Sequence, residues 1–173
     1  IKIMKKLVLS VTMILCVAFA SSLSAQKTIV DVAVGNKDFT TLVTALKAAD
    51  LVSALQGEGP FTVFAPTNDA FAKIDAKTLS SLLEAGNKEA LANILTYHVV
   101  SGKLAASDVV AALKKGDGMV ELKALNGQVI TVTQKDDKIW LKDSNGDFSE
   151  IIATDVMGSN GVIHVIGTVV MPK

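Results

Sequence analysis

"FTVFAPTNDAF", residues 61–71, reads as a strand that turns sharply into a helix. Phe61, Val63 and Ala65 fall on one side of an extended segment, and Thr62 and Phe64 on the other. Pro66 has no N–H to donate and ends the ladder. Thr67 or Asn68 then caps a short helix, "DAFAKI", and Asp69 adds negative charge to its first turn, where the helix dipole favours it. The polar cluster resembles an active-site loop, yet it holds no His, no Cys and no phosphate-cradling glycine. Its polar residues are accounted for by the corner they build.

Upstream of this corner the period is helical. "DFTTLVTALKAADL" spaces Phe39, Leu42, Val43 and Leu46 along one helix face after Asp38, which is expected to be the N-cap. A shorter helical piece, "LVSALQG", is expected to stop in a left-handed cap at Gly57. Downstream, "AKTLSSLLEAG" and "KEALANILTY" read as two amphipathic helices separated by Gly86 and Asn87. "SDVVAALKKG" repeats the plan, with Ser107 as cap, an apolar face of Val109, Val110 and Leu113, and a closing Gly116. From residue 119 the period becomes two. "MVELKAL" and "QVITVTQ" flank Asn126-Gly127, a strong hairpin signal, and "KIWLK", "FSEIIATDV" and "GVIHVIG" follow after short polar turns. The expectation is an α+β chain with helices early, a sheet late, and antiparallel meander pairing among the late strands.

Composition narrows the function classes. Lys5 and Lys6 precede an uncharged apolar run from Leu7 to Ala20, and "SSLSAQ" follows, so residues 1–25 are expected to be a secretory signal peptide. Cys16, with Leu15 before it, is read as part of that apolar run rather than as a lipidation site. The run is too short for a comfortable membrane span and none follows, so no membrane insertion is expected after cleavage. Residues 26–173 form one expected domain without cysteine, which must stand on its core rather than on disulfides. A chain of this length buries roughly 68–70% of its unfolded surface. Of the 17 lysines three lie in the leader, so 14 face 17 acidic residues in the remainder, a net charge of −3. With no arginine at all, nucleic-acid binding is excluded as an expectation.

The candidate chemistry is thin. His98 and His164 suggest a base or a metal pair, but catalytic zinc takes three protein ligands and neither "HxxxH" nor "HxH" spacing occurs. His98 is therefore expected to be a core histidine satisfied by Thr67, Asp69 or a backbone carbonyl, and His164 is read the same way. No "GxSxG" supports a serine hydrolase. "DSNGDF", residues 143–148, imitates the start of a calcium loop, but Phe148 and Thr154 stand where a glycine and a bidentate glutamate belong. "KGD" at 115–117 is explained by Gly116 closing a helix. No catalytic residue, no metal site and no cofactor are expected.

Three segments in order, "FTVFAPTNDAF", "ILTYHVV" at 94–100 and "GSNGVIHVIGTVVMP" at 158–172, resemble the signature segments of the fasciclin-like domain family. The opening "TIVDVAVGNKDFTTLVTALKAADLVSALQGEGP" is similar to that family's start, so the resemblance spans essentially all of residues 26–173. It implies a wedge-shaped β-sandwich of about seven strands with helices packed along one edge. One departure is Gly167, where members often carry an acidic residue. The resemblance also implies two recognition elements: Tyr97 and His98 with Val99 and Val100, and Asp155 and Val156 with Met157 beside them. In animal members such elements are described as integrin-recognising. The surface carries over to this chain, whereas the integrin does not, because the leader is bacterial in style. The function implied is a secreted or periplasmic, monomeric, non-catalytic adhesion or matrix-interaction module. Its partner is expected to be a cell-surface protein or polysaccharide. The alternative implied by the family is an apolar, carotenoid-like small-molecule binding protein.

Overall fold

The corner at residues 61–71 forms as expected in the computed structural model, which describes residues 27–173. The expected leader, residues 1–25, lies outside the described residues. Strand β1 (Phe61–Pro66) has both faces buried, and Thr67 caps helix α4 (Asn68–Ala72) by accepting the Ala70 N–H at 3.2 Å. Pro66 is the last paired residue of the strand.

Four short helical elements precede β1: α1 (Ile29–Val34), a 3₁₀ turn (Lys37–Phe39), α2 (Thr40–Ala48) and α3 (Val52–Gln56). After α4 come α5 (Ala76–Leu83) and α6 (Lys88–Tyr97), joined by a 3₁₀ turn over Ala85–Asn87. A short strand β2 (Val99–Ser101) and helix α7 (Ala106–Lys115) complete the first part. Then β3 (Met119–Lys123), β4 (Val129–Lys135), β5 (Lys138–Lys142), β6 (Phe148–Gly158) and β7 (Gly161–Ile166) follow one another as the expected antiparallel meander. The early half also contributes to the sheet. β1 lies between β2, to which it is antiparallel, and β7, to which it is parallel. The strand order is β2-β1-β7-β6-β5-β4-β3, seven strands in one α+β fold.

Three local expectations are corrected. Asp38 does not cap the long helix; Asn36 caps the preceding 3₁₀ turn by accepting the Asp38 N–H at 2.9 Å. Ser107 lies inside α7, whose start is marked by Asp108 reaching back to the Ala105 N–H at 3.0 Å. Gly57 ends α3 in an extended conformation, φ −65° and ψ −178°, rather than a left-handed one.

The sheet bends along β6, whose register slips between Ile151 and Ala153 and again between Ala153 and Val156. Such bulges increase local twist. The two ends of the sheet therefore face each other and nearly close: Val100 of β2 bridges Ala124 just after β3, and the Leu125 N–H donates to the Val99 carbonyl at 2.8 Å. Phe64, Val100 and Ile166 from one half then share a core with Ile130, Val132 and Leu141 from the other. A second core lies where Val63, Ala65, Ile163 and Val165 meet Leu42, Leu46 and Leu95 of the helices. Among the described residues no helix is long and apolar enough to cross a membrane.

Candidate functional site

The segment Tyr97–Val100 lies where the two cores meet. Val99 packs in the helix-facing core, and Tyr97 and Val100 pack in the other. Tyr97 is 0% exposed, His98 and Val99 are 2% and Val100 is 4%. A partner docking on the folded domain does not reach these four side chains. Their hydrogen bonds are internal as well. The Tyr97 hydroxyl donates to the Val129 carbonyl at 2.9 Å and accepts the Ser144 N–H at 3.1 Å. Burial raises its pKa, with the Ser144 hydrogen bonds pulling the other way.

His98 closes α6 and uses both ring nitrogens on backbone. Nδ1 donates to the Ile94 carbonyl at 2.8 Å, and Nε2 accepts the Val170 N–H at 3.3 Å. A backbone carbonyl is thus the partner, rather than Thr67 or Asp69. Burial pushes the imidazole pKa down to about 4, against the opposing pull of the Ile94 hydrogen bond. His164 on β7 is arranged in the same way, with Nε2 donating to the Leu104 carbonyl at 2.7 Å and Nδ1 facing the Asp155 N–H at 3.4 Å. Each ring connects two chain segments through backbone hydrogen bonds.

The second recognition segment is more accessible. Asp155 sits at the second slip of β6 with φ 60°, and its Oδ1 accepts the Ala106 N–H at 2.8 Å. It therefore holds the first residue of α7 as well as presenting a charge. Val156 is half-buried against the helix-facing core, and Met157 is 49% exposed. The bend that follows is fixed by Asn160, whose Nδ2 donates to the Leu55 and Gly57 carbonyls at 2.8 and 2.9 Å. Its Oδ1 accepts the Ile29 N–H at 3.0 Å. Gly161 is required by close approach, because a Cβ there would overlap the Phe61 carbonyl. The bend is thus a rigid junction that leaves Met157 and the carboxylate edge of Asp155 at the surface.

The calcium-like loop is committed to backbone. Asp143 is 7% exposed. Its Oδ1 accepts the Asn145 and Asp147 N–H groups at 2.9 Å, and its Oδ2 accepts the Met171 N–H at 3.0 Å. Among the described residues no group of three or more His, Cys, Asp or Glu is placed to hold a metal ion. The space between α1, α2, α3 and the sheet, lined by Ile29, Leu42 and Ile163 among others, amounts to about 20 Å³, enough for one water at most. An apolar ligand of polyene size does not fit there.

Sequence reasoning missed one surface. The side of β4 and β5 opposite the buried Ile130, Val132 and Leu141 is half-buried to exposed. Met119, Thr133, Trp140 and Glu150 lie abreast across four strands, and Glu121, Thr131, Lys142 and Phe148 form the next row. Met119 and Phe148 are 59% and 51% exposed. The signal was present in the period of two: "KIWLK" alternates Lys138, Trp140 and Lys142 against Ile139 and Leu141.

A family model described as the fasciclin domain matches residues 37–172. Protein sll1483 of Synechocystis sp. is 51% identical over 145 residues, which make up 84% of this chain and 73% of that protein. Transforming growth factor-beta-induced protein ig-h3 of Sus scrofa is 37% identical over 145 residues, covering 84% of this chain and 19% of that much longer protein. Among solved structures, a FAS1 domain pair from the insect cell adhesion molecule fasciclin I superposes with a TM-score of 0.58. The identity is 18%, over 75% of this chain and 43% of that one, a likeness of fold alone.

Proposed function

The chain belongs to the fasciclin domain family, and on that premise we propose that it is a non-catalytic adhesion or matrix-interaction module. It acts outside the cytoplasm, secreted or periplasmic, as a monomer that binds a cell-surface protein or polysaccharide. The observation that carries this reading is the junction at Asp155–Met157. An exposed, adaptable Met157 and a charged Asp155 edge are held by a bend whose every polar anchor is tied to backbone. Rigid presentation reduces the entropy lost on binding, which favours a contact surface over a mobile loop. The use of both histidines as buried connectors, with their ring nitrogens taken up by backbone groups, supports a binding role over a proton-transfer role.

The test uses the double variant Asp155→Asn with Met157→Ala. Asparagine keeps an acceptor for the Ala106 N–H and removes the charge, so folding is preserved while the surface changes. Attachment of the purified protein to native envelope material is expected to weaken markedly in this variant, with melting nearly unchanged. Full-strength attachment by the folded variant refutes the placement of the partner at this junction.

A further inference from the structure

We infer that the outer face of β4, β5 and β6 is a second binding site, which takes an acidic polysaccharide such as a polyuronate. The inference rests on the adhesion reading only for the general class of partner, and it places the contact on a different face from the Asp155–Met157 junction.

The groove on this face has a volume of about 470 Å³ and is lined by Thr133, Gln134, Lys135, Trp140 and Phe148. That volume lies within the range of small-ligand sites, roughly 300–1,000 Å³. Its chemistry is mixed in the way a sugar requires. Trp140 and Phe148 offer aromatic surface to the apolar C–H face of a pyranose ring. Thr133, Gln134 and Lys135 stand beside them as hydrogen-bonding groups for hydroxyls. A purely apolar groove would suit a protein helix better.

Trp140 itself points away from a stabilising role. Its Nε1 is buried, and among the described residues it has no hydrogen-bond partner. A buried donor left unpaired destabilises a fold, so a tryptophan is a poor choice here for stability alone. Neighbouring outward positions on the same face hold threonine and lysine without such a penalty.

Charge selects the anionic class. The outward positions of these strands and of β3 carry Lys123, Lys135, Lys138 and Lys142 against Glu121 and Glu150. Glu150 is already engaged by Lys138 at 2.7 Å. Lys135 on the groove wall and Lys142, 5.7 Å above the Phe148 ring, are left as surplus cations flanking the aromatic pair. Asp136 and Asp137 form the β4–β5 turn and, like Lys123, Lys138 and Lys142, lie outside the groove lining, in which Lys135 is the one charged residue. The groove lining is positive, through Lys135, although residues 26–173 as a whole carry more acidic side chains than lysines. A chain of uronate sugars satisfies both features, with rings on the aromatics and carboxylates on the lysines.

Trp140 is the only tryptophan, so its emission reports on this groove directly. Titration of the purified protein with alginate is expected to change that emission in a saturable way that weakens as salt is added. Neutral dextran is expected to leave it unchanged. Isothermal titration of alginate should show roughly tenfold weaker binding for Trp140→Ala and for Lys135→Ala with Lys142→Ala. Trp140→Phe, which keeps an aromatic surface, should recover much of the loss. The lysine pair is exposed, so its effect is read on a folded protein even if Trp140→Ala unfolds. No emission change with alginate, an equal response to dextran, or undiminished binding by the lysine variant overturns the inference. Should the protein attach to envelope material yet ignore alginate, this site falls while the adhesion reading stands. Should it attach to neither, both fall. If envelope attachment is lost on protease treatment of the envelope and alginate does not compete, the partner is a protein and the polysaccharide site is refuted.

Discussion

Acidification from about pH 7.5 to about pH 4.5 should remove roughly 2–3 kcal/mol of stability through His98 alone. In the folded protein burial holds the His98 pKa at about 4, against 6.5 for a free imidazole. Between those two values the unfolded chain binds a proton that the folded chain refuses. Stability therefore falls as pH drops through 6.5, and the loss levels off below about 4, where both states are protonated. The direction is opposite to that of a histidine gaining an acidic partner. It follows from geometry: Nε2 must stay unprotonated to accept the Val170 N–H, and Nδ1 already donates to the Ile94 carbonyl.

The assay is urea unfolding followed by Trp140 fluorescence at half-unit pH steps, in parallel for the parent and for His98→Gln. Glutamine cannot take up the proton, so the difference between the two curves isolates His98, every other titrating group being common to both proteins. The parent should start more stable and converge toward the variant by that 2–3 kcal/mol as pH falls. Curves that stay parallel over this range would refute the burial argument. A parent that gains stability on acidification would show that His98 is paired with a negative charge instead.

Further outcomes follow from other anchors. Thr67→Ala should cost about 0.5–2 kcal/mol in urea unfolding, because the cap on Ala70 is lost. Tyr97→Phe should cost about 1–3 kcal/mol by leaving the part-buried Val129 carbonyl and Ser144 N–H without their shared partner. Asn160→Ala removes three backbone contacts at once and should lower the melting temperature more than either of these, measured by circular dichroism. Asp155→Ala should destabilise where Asp155→Asn does not, since only the alanine frees the Ala106 N–H.

Much of the fold was legible because it is written in local chemistry. Pro66 and Thr67 fix the strand-to-helix corner whatever surrounds them, and Asn126-Gly127 fixes a hairpin with Gly127 at φ 87°. What depended on distant partners was not legible. Nothing in "TIVDVAV" announces that Ile29 will receive Asn160 from 131 residues away, or that Asp155 will hold the start of α7. Helix starts were misread for the same reason. Asp38 and Ser107 are good capping residues by type, but the side chains of Asn36 and Asp108 already accept backbone N–H groups at those ends. The parallel pairing of β1 with β7 joins segments 100 residues apart, and no periodicity encodes it.

The candidate site shows the same limit from the other side. "ILTYHVV" is prominent because an aromatic, a histidine and two valines stand together, a composition that fits either recognition or a core. The fold resolves it by burial: α6 ends at Tyr97, and the chain must cross between two cores within three residues, so every side chain there meets one core or the other. Trp140, by contrast, was passed over because "KIWLK" was read only as one strand of the late series, without asking which side its tryptophan takes. Leu141 takes the inward position, and the tryptophan goes out by parity alone. In a half-buried strand the telling residue is therefore the large apolar one on the polar parity. Here that parity sets an aromatic ring among lysines on the side of the sheet turned away from Ile130, Val132 and Leu141.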